Sequence, residues 1–129
     1  MLALDMQIYE KLYINGEWVE ATGKGIIEVV NPANEKIIGS VPVGSQNDVD
    51  AAVLAAKNAF HSWSNSSYDE RMEILNKLSA SIKEKTEDLA QTITAEVGTP
   101  IGYSRMAMVG TPRVVTRSYA KILETFEWE

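Results

Sequence analysis

The chain has 129 residues, 45% of them hydrophobic and 23% charged, which is the composition of a water-soluble globular domain or of part of one. Its 12 Lys and Arg against 18 Asp and Glu give a net charge of −6, which argues against nucleic acid and anionic membranes as partners, because proteins bind both mainly through basic patches. Since the sequence has no cysteine, disulfides, thiolate nucleophiles and cysteine-ligated metals are excluded.

The first third of the chain predicts two short β-hairpins. Residue types that favour strands are concentrated in four runs, at residues 12–14, 17–19, 26–30 and 36–43. Asn15-Gly16 separates the first two runs, and this pair favours a two-residue type I′ turn because both positions need a positive φ. The other two runs flank turn-forming residues 33–35, so a second antiparallel pair is expected.

Beyond residue 44 the pattern becomes helical. Two Ser-x-x-acid pairs fit capping boxes at helix starts, namely Ser45 with Asp48 and Ser67 with Glu70. Apolar residues recur at helical spacing over 49–60, so the first helix is expected to end there, before a polar connection at 61–66. The second capping box is followed by another apolar stripe at helical spacing.

Two more helices are predicted in the last third. Thr86 is the expected cap of the first, which ends at Gly98 and whose buried line is Leu89, Ile93 and Val97. Pro112 falls inside the next helical pattern, and an interior proline would cost about 3 kcal/mol. We therefore expect a break there, with Thr111 as N-cap and Pro112 at the first helical position.

These elements predict an α+β chain with more apolar faces than it can cover by itself. Two-stranded ribbons are marginal alone, and each predicted helix carries an apolar stripe. We therefore expect a further body of protein to pack here, or self-association through these faces.

No catalytic constellation is visible in the sequence. His61 is the single histidine, and a solvated histidine is favoured over a ligand or general base because no partner group is apparent. Neither common glycine-rich phosphate-binding loop occurs. The acidic pairs stand at predicted helix starts, where negative charge offsets the macrodipole. No catalytic or cofactor-binding residue is therefore assigned.

The N-terminal residues do not have the pattern of a secretory signal. No basic stretch there is followed by a long apolar one, and nowhere do eighteen apolar residues run together. These features favour a cytoplasmic location.

Five segments in order resemble the N-terminal segment of the aldehyde dehydrogenase superfamily. They are YINGEWVEATGKG (13–25), IEVVNPANEKIIGSVPVGSQNDVDAAVLAAKNAFHSW (27–63), DERMEILNKLSASI (69–82), AQTITAEVGTP (90–100) and RSYAKILETFEWE (117–129). Each motif alone is weak, but their combination from Tyr9 to the last residue is specific for this family.

The resemblance implies an incomplete part of the α/β, Rossmann-like coenzyme-binding domain, spanning residues 9–129 after a flexible N-terminus at 1–8. The parent enzyme would oxidise a small aldehyde to a carboxylate with NAD or NADP, using a cysteine and a general base that this chain lacks. No cofactor is expected to bind this chain alone, whose main partner would be the remainder of the dehydrogenase. The alternative is a truncated, non-catalytic interaction module.

The same resemblance points to two candidate sites. The last helix of this segment borders the substrate tunnel in the family, and by that match Thr111, Tyr103 and Val115 would face substrate. Helix capping for Thr111 and core packing for Val115 remain open alternatives. Some members of the family bind a structural monovalent cation, and the matching ligands here would be the Val29 carbonyl and the Glu96 carboxylate.

Overall fold

Residues 7–127 are described by the computed structural model, and they divide into two compact units between Asn65 and Ser66. The first unit contains β1 (Gln7–Ile8), β2 (Lys11–Ile14), β3 (Glu17–Glu20), β4 (Ile26–Val30), β5 (Ile37–Pro42) and α1 (Gln46–Ser64). The second unit contains α2 (Tyr68–Glu84), α3 (Thr86–Val97), α4 (Ile101–Tyr103), a π-helical segment (Ser104–Val109) and α5 (Gly110–Ile122). The predicted α+β order of two hairpins followed by helices is confirmed.

The first hairpin forms as predicted. β2 and β3 pair antiparallel, with Ile14 opposite Glu17 at the turn. Asn15 has a φ of 55° and Gly16 a φ of 82°, the positive values that a type I′ turn requires.

The second hairpin is part of a three-stranded sheet. β4 pairs antiparallel with β5, and the turn between them is closed by the Asn31 carbonyl, which accepts hydrogen bonds from the backbone N–H of Asn34 and Glu35. β1 pairs in parallel with the other edge of β5, Gln7 opposite Gly39. Gln7 and Ile8 belong to the N-terminus expected to be flexible, whereas residues 1–6 lie outside the described part.

Both predicted capping boxes are present. The Ser45 hydroxyl accepts from the N–H groups of Asn47 and Asp48, and the Asp48 carboxylate accepts in return from the Ser45 N–H at 2.7 Å. At the start of α2, Ser67 and Glu70 make the same reciprocal pair, and the Ser67 N–H donates to the Glu70 carboxylate at 2.7 Å. These local signals succeed because the partners are three residues apart and need no tertiary contact.

The predicted end of α1 at Phe60 is wrong, since the helix continues to Ser64. Polar side chains satisfy one carbonyl of its last turn: the Ser64 hydroxyl and the Asn65 amide both donate to the His61 carbonyl, at 3.1 and 2.7 Å. His61 is therefore an exposed helical residue and not a loop residue.

Thr86 does not cap α3. Its hydroxyl donates backward to the carbonyls of Ile82 and Lys83, while Lys85 occupies the N-cap position without a side-chain hydrogen bond. The predicted end of α3 at Gly98 is confirmed, because Gly98 has a φ of 79°, in the left-handed region that is common at helix C-caps.

The expected break at Gly110-Thr111-Pro112 is also wrong. Residues from Ile101 to Ile122 are helical throughout, and Thr111 lies inside α5 instead of capping it. A proline ring collides with the carbonyl four residues earlier, here that of Met108. Met108 belongs to the π-helical segment, whose wider turns displace that carbonyl, so the helix accommodates Pro112 without ending.

Small side chains make up the buried apolar positions. Among the described residues these are Ala90, Ala95, Val109 and Ala120. The predicted buried line of α3 is wrong at two of its three positions, since Leu89 is 38% and Val97 59% exposed, whereas Ile93 is half-buried. Trp18 and Trp63 are exposed, and Trp128 lies outside the described residues.

None of the helices formed by residues 7–127 has the length and apolar character that crossing a bilayer requires.

Candidate functional site

The helix that carries the predicted substrate-facing residues is anchored on α3. Ser104, which is fully buried, shares a 2.9 Å hydroxyl–hydroxyl hydrogen bond with Thr94. Arg105 donates two hydrogen bonds to the Glu87 carboxylate, at 2.7 and 2.8 Å. The Arg105 guanidinium lowers the pKa of Glu87 to about 2, with a smaller contribution from the Gln91 amide. These contacts hold the π-helical segment on α3.

Tyr103, Thr111 and Val115 all lie on the exposed surface of this helix. Tyr103 is 51% and Val115 44% exposed, and Thr111 is also exposed. Thr111 is thus not a helix cap, and Val115 is not buried by the described residues of this chain. The helix has exposed apolar side chains available to line a cavity.

The two candidate cation ligands lie in different units. Val29 is half-buried in β4 opposite Gly39, at a register shift between Val29 and Val30. Glu96 is exposed in the last turn of α3. Within residues 7–127 no group of three or more His, Cys, Asp or Glu side chains is arranged to hold a metal ion.

Asp48 is the one buried ionisable side chain among the described residues, at 7% exposure. Besides the Ser45 N–H, it accepts the Thr22 N–H with both carboxylate oxygens at 3.1 Å. The Ser45 backbone N–H is the largest cause that lowers the pKa of Asp48 to about 2, and the Thr22 groups contribute further. Asp48 therefore fixes the loop after β3 to the start of α1, which is a structural role.

Gly23 lies in the same loop, where a side chain does not fit. A Cβ at this position would come within 2.0 Å of the Val43 carbonyl oxygen. The predictions from sequence did not include this contact or the Thr22–Asp48 bond, because both join residues that are distant along the chain.

The sequence model of the aldehyde dehydrogenase family matches residues 18–129. This chain belongs to the aldehyde dehydrogenase family. The resemblance drawn from the five motifs is thereby confirmed.

Curated relatives of this aldehyde dehydrogenase chain are several times longer. It is 42% identical over 96 residues to a 3-succinoylsemialdehyde-pyridine dehydrogenase of Pseudomonas, covering 74% of this chain and 20% of the relative. It is 37% identical over 124 residues to a putative aldehyde dehydrogenase of Staphylococcus haemolyticus, covering 96% of this chain and 26% of the relative. The chain therefore spans between 20% and 26% of the length of these relatives.

Solved aldehyde dehydrogenases contain the same arrangement of elements. The enzyme from Bartonella henselae matches with a TM-score of 0.90 and 31% identity, covering 95% of this chain and 26% of that one. A variant of aldehyde dehydrogenase C from Pseudomonas syringae, solved with NAD+ and octanal, matches with a TM-score of 0.88 and 36% identity, covering 92% and 24%.

Proposed function

We propose that this chain forms the N-terminal segment of an NAD-dependent aldehyde dehydrogenase that oxidises an aldehyde to a carboxylate. The match to solved enzymes of this family over 95% of the chain carries the proposal. NAD is the proposed cofactor of the complete enzyme because a similar structure was solved with NAD+ and octanal. The choice between NAD and NADP depends on segments other than this one, and the identity of the aldehyde depends mostly on them.

The chain's own contribution is a scaffold. It has no cysteine, so it offers no thiolate to attack an aldehyde. Its described residues also do not fit NAD. The strand that leads directly into a helix, β5 before α1, is joined to it by Val43, Gly44 and Ser45, which is not the glycine-rich loop that holds a pyrophosphate. Nicotinamide binding and the chemical steps are therefore assigned to other segments of the enzyme.

The remainder of the dehydrogenase is the proposed partner of this chain. Large apolar side chains on α1 are exposed, among them Leu54 at 59% and Phe60 at 68%, and such surface favours burial against further protein. We place the complete enzyme in the cytoplasm, which cell fractionation would test.

A chimera tests the proposed function. This chain would replace the corresponding quarter of the Pseudomonas syringae enzyme, and NADH formation from NAD+ and octanal would be measured. We expect aldehyde-dependent turnover by the chimera, and none by this chain alone or by the enzyme without the segment. A chimera that folds but does not turn over would contradict the proposal and favour a non-catalytic interaction module.

Tyr103, Thr111 and Val115 are proposed to line the substrate tunnel of that enzyme. The support is their exposure on a helix that is anchored through Ser104 and Arg105.

Two adjacent valines give a matched test of the tunnel in the chimera. We expect Val115→Phe to lower kcat/KM for octanal by about tenfold and to leave the KM for NAD+ unchanged. The larger side chain narrows the tunnel through which the aldehyde enters and does not contact NAD+. Val114→Phe is the control, because helical geometry points this 64% exposed neighbour about 100° away. Equal effects of the two substitutions would rule out a specific role for Val115.

Val29 and Glu96 are proposed as ligands of a structural monovalent cation. The register shift at Val29 and Val30 supports this, since such irregularities leave backbone groups free to bind elsewhere. Glu96 supplies an exposed carboxylate oxygen of the kind that hard cations prefer. In the chimera, Glu96→Gln should remove any stabilisation that potassium gives over choline at equal ionic strength.

A further inference from the structure

A groove between α2 and α5 collects four positive side chains in an otherwise acidic chain. Two adjoining cavities of about 610 and 210 Å³ share Asn76 and Arg117 in their linings and so form one groove. The cationic residues that line it are Lys83, Arg113, Arg117 and Lys121. They are a third of the 12 Lys and Arg of a chain whose net charge is −6.

These four cations have no carboxylate partner within the described residues. The ion pairs found there join Lys11 to Glu20, Lys77 to Glu73 and Arg105 to Glu87, all outside the groove. Glu124 is the single acidic residue that lines the groove. The groove therefore has a net positive charge, with four cationic side chains and one carboxylate in its lining.

The spacing along α5 makes this charge unfavourable for the helix itself. Arg113, Arg117 and Lys121 follow one another at intervals of four residues, which places them on one face, and like charges at this spacing destabilise a helix. Lys121 lies in the last turn of α5, where its positive charge interacts favourably with the negative end of the helix dipole. Arg113 and Arg117 lie in the interior of the continuous helix, so the dipole does not account for them.

Neutral polar side chains also line the groove. Ser79 is buried at 7% exposure, and its hydroxyl donates to the Arg113 carbonyl at 3.2 Å, which ties α2 to the backbone of α5 at this point. The Asn76 side chain makes no hydrogen bond within residues 7–127, so its amide N–H groups are available to a ligand. Guanidinium groups bind oxyanions through paired N–H donors, and a nearby amide adds a further donor.

We propose that this groove binds a small, multiply charged oxyanion of the phosphate type. Such a ligand neutralises the stripe of like charge on α5 and accepts hydrogen bonds from Arg113, Arg117 and Asn76. The proposal goes beyond aldehyde oxidation, which transfers no phosphate group. α5 carries both Thr111 and Val115 and most of the cationic side chains, but none of Tyr103, Thr111 and Val115 lines the groove.

Inorganic phosphate is the probe for this site. Calorimetric titration of the chain with sodium phosphate, against sodium chloride at equal ionic strength, should give saturable binding of phosphate alone. Arg117→Gln should raise the Kd about tenfold, which corresponds to about 1.4 kcal/mol. Circular dichroism would verify that the helices of the variant are intact.

Two lysines near the end of α2 provide a matched pair. Lys83→Gln should weaken phosphate binding, whereas Lys85→Gln should leave the Kd unchanged, because both side chains are exposed but only Lys83 lines the groove. The proposal would be overturned if phosphate, like chloride, gave no saturable binding. It would also be overturned if Lys83→Gln and Lys85→Gln had equal effects on the Kd for phosphate. Binding of an oligoglutamate peptide without binding of phosphate would also overturn it and would identify an acidic protein segment as the occupant.

Discussion

Asp48 joins two stretches of chain that are far apart in sequence. Its spacing from Ser45 made the helix cap predictable, because a capping box is local. Its second partner, the Thr22 N–H, lies 26 residues away and follows no sequence rule. Two backbone N–H donors, those of Ser45 and Thr22, therefore depend on one carboxylate being ionised.

The pH dependence of stability should report this carboxylate. The pKa of Asp48 falls from 3.8 to about 2 on folding, so its contribution is fully present above about pH 4 and is lost as the pH drops toward 2. Asp48→Asn should lower the free energy of unfolding at pH 7. The difference in this free energy between the variant and the unsubstituted chain should become smaller as the pH falls from 4 to 2. Urea unfolding followed by circular dichroism at a series of pH values measures both.

Asp69→Asn is the control for Asp48, because it removes a carboxylate from an exposed helix start. Asp69→Asn should change the free energy of unfolding at pH 7 by less than Asp48→Asn does. If the gap between Asp48→Asn and the unsubstituted chain stayed constant down to pH 2, the ionised carboxylate would not be the source of the stabilisation.

The long helix from Ile101 to Ile122 shows how tertiary context overrides a local signal at the scale of elements. Gly110-Thr111-Pro112 has the residues of a break, yet the π-helical turns before Pro112 keep the helix continuous. Ser104 and Val109, at 0% and 3% exposure, hold those turns against neighbouring helices. A helix thus continues through a proline where packing contacts stabilise the wider turns.

Ser104 is the position at which this anchoring should be measurable. Ser104→Ala removes the hydrogen bond to Thr94 and leaves that hydroxyl without this partner, so we expect a loss of about 1–2 kcal/mol in the free energy of unfolding. Denaturant unfolding of the chain with and without Ser104→Ala would measure this loss.

Ser118→Ala is the matched control on the same helix. The Ser118 hydroxyl is exposed and donates only to the nearby Val115 carbonyl, so its removal should change stability by less than about 0.5 kcal/mol. If the two substitutions had equal effects, the Ser104–Thr94 bond would not anchor the helix.

At the scale of the whole molecule, apolar surface is the dominant feature. The buried apolar side chains of the described residues are alanines and one valine, whereas large ones such as Phe60 and Val53 are 68% and 47% exposed. Burial of a large apolar side chain contributes about 1.5–3 kcal/mol, so these faces favour contact with more protein.

Self-association of the isolated chain follows from that surface. Size-exclusion chromatography with light scattering should give a mass above the 14.3 kDa of one chain. Phe60→Ser, which removes apolar surface from α1, should shift the distribution toward one chain, while Lys57→Ser should not. A monodisperse species of one chain at micromolar concentration would contradict the expectation.

Local chemistry explains which features the sequence by itself determined. The Asn15-Gly16 turn, the two capping boxes and the Gly98 stop each depend on residues within about four positions, and all were predictable. The five motifs likewise identified the family. The candidate residues Tyr103, Thr111 and Val115 came from that resemblance alone.

Only the tertiary structure decided the rest. The Asp48–Thr22 bond and the closeness of Gly23 to Val43 join segments that are distant in sequence. The path of the helix through Pro112 depends on the packing of Ser104 and Val109 against neighbouring helices. Burial was also decided at this level, since helical spacing shows which side chains share a face but not whether another element covers that face. Leu89 and Val97 lie on an apolar face of α3, yet Ala90 and Ala95 are the residues that its neighbours bury.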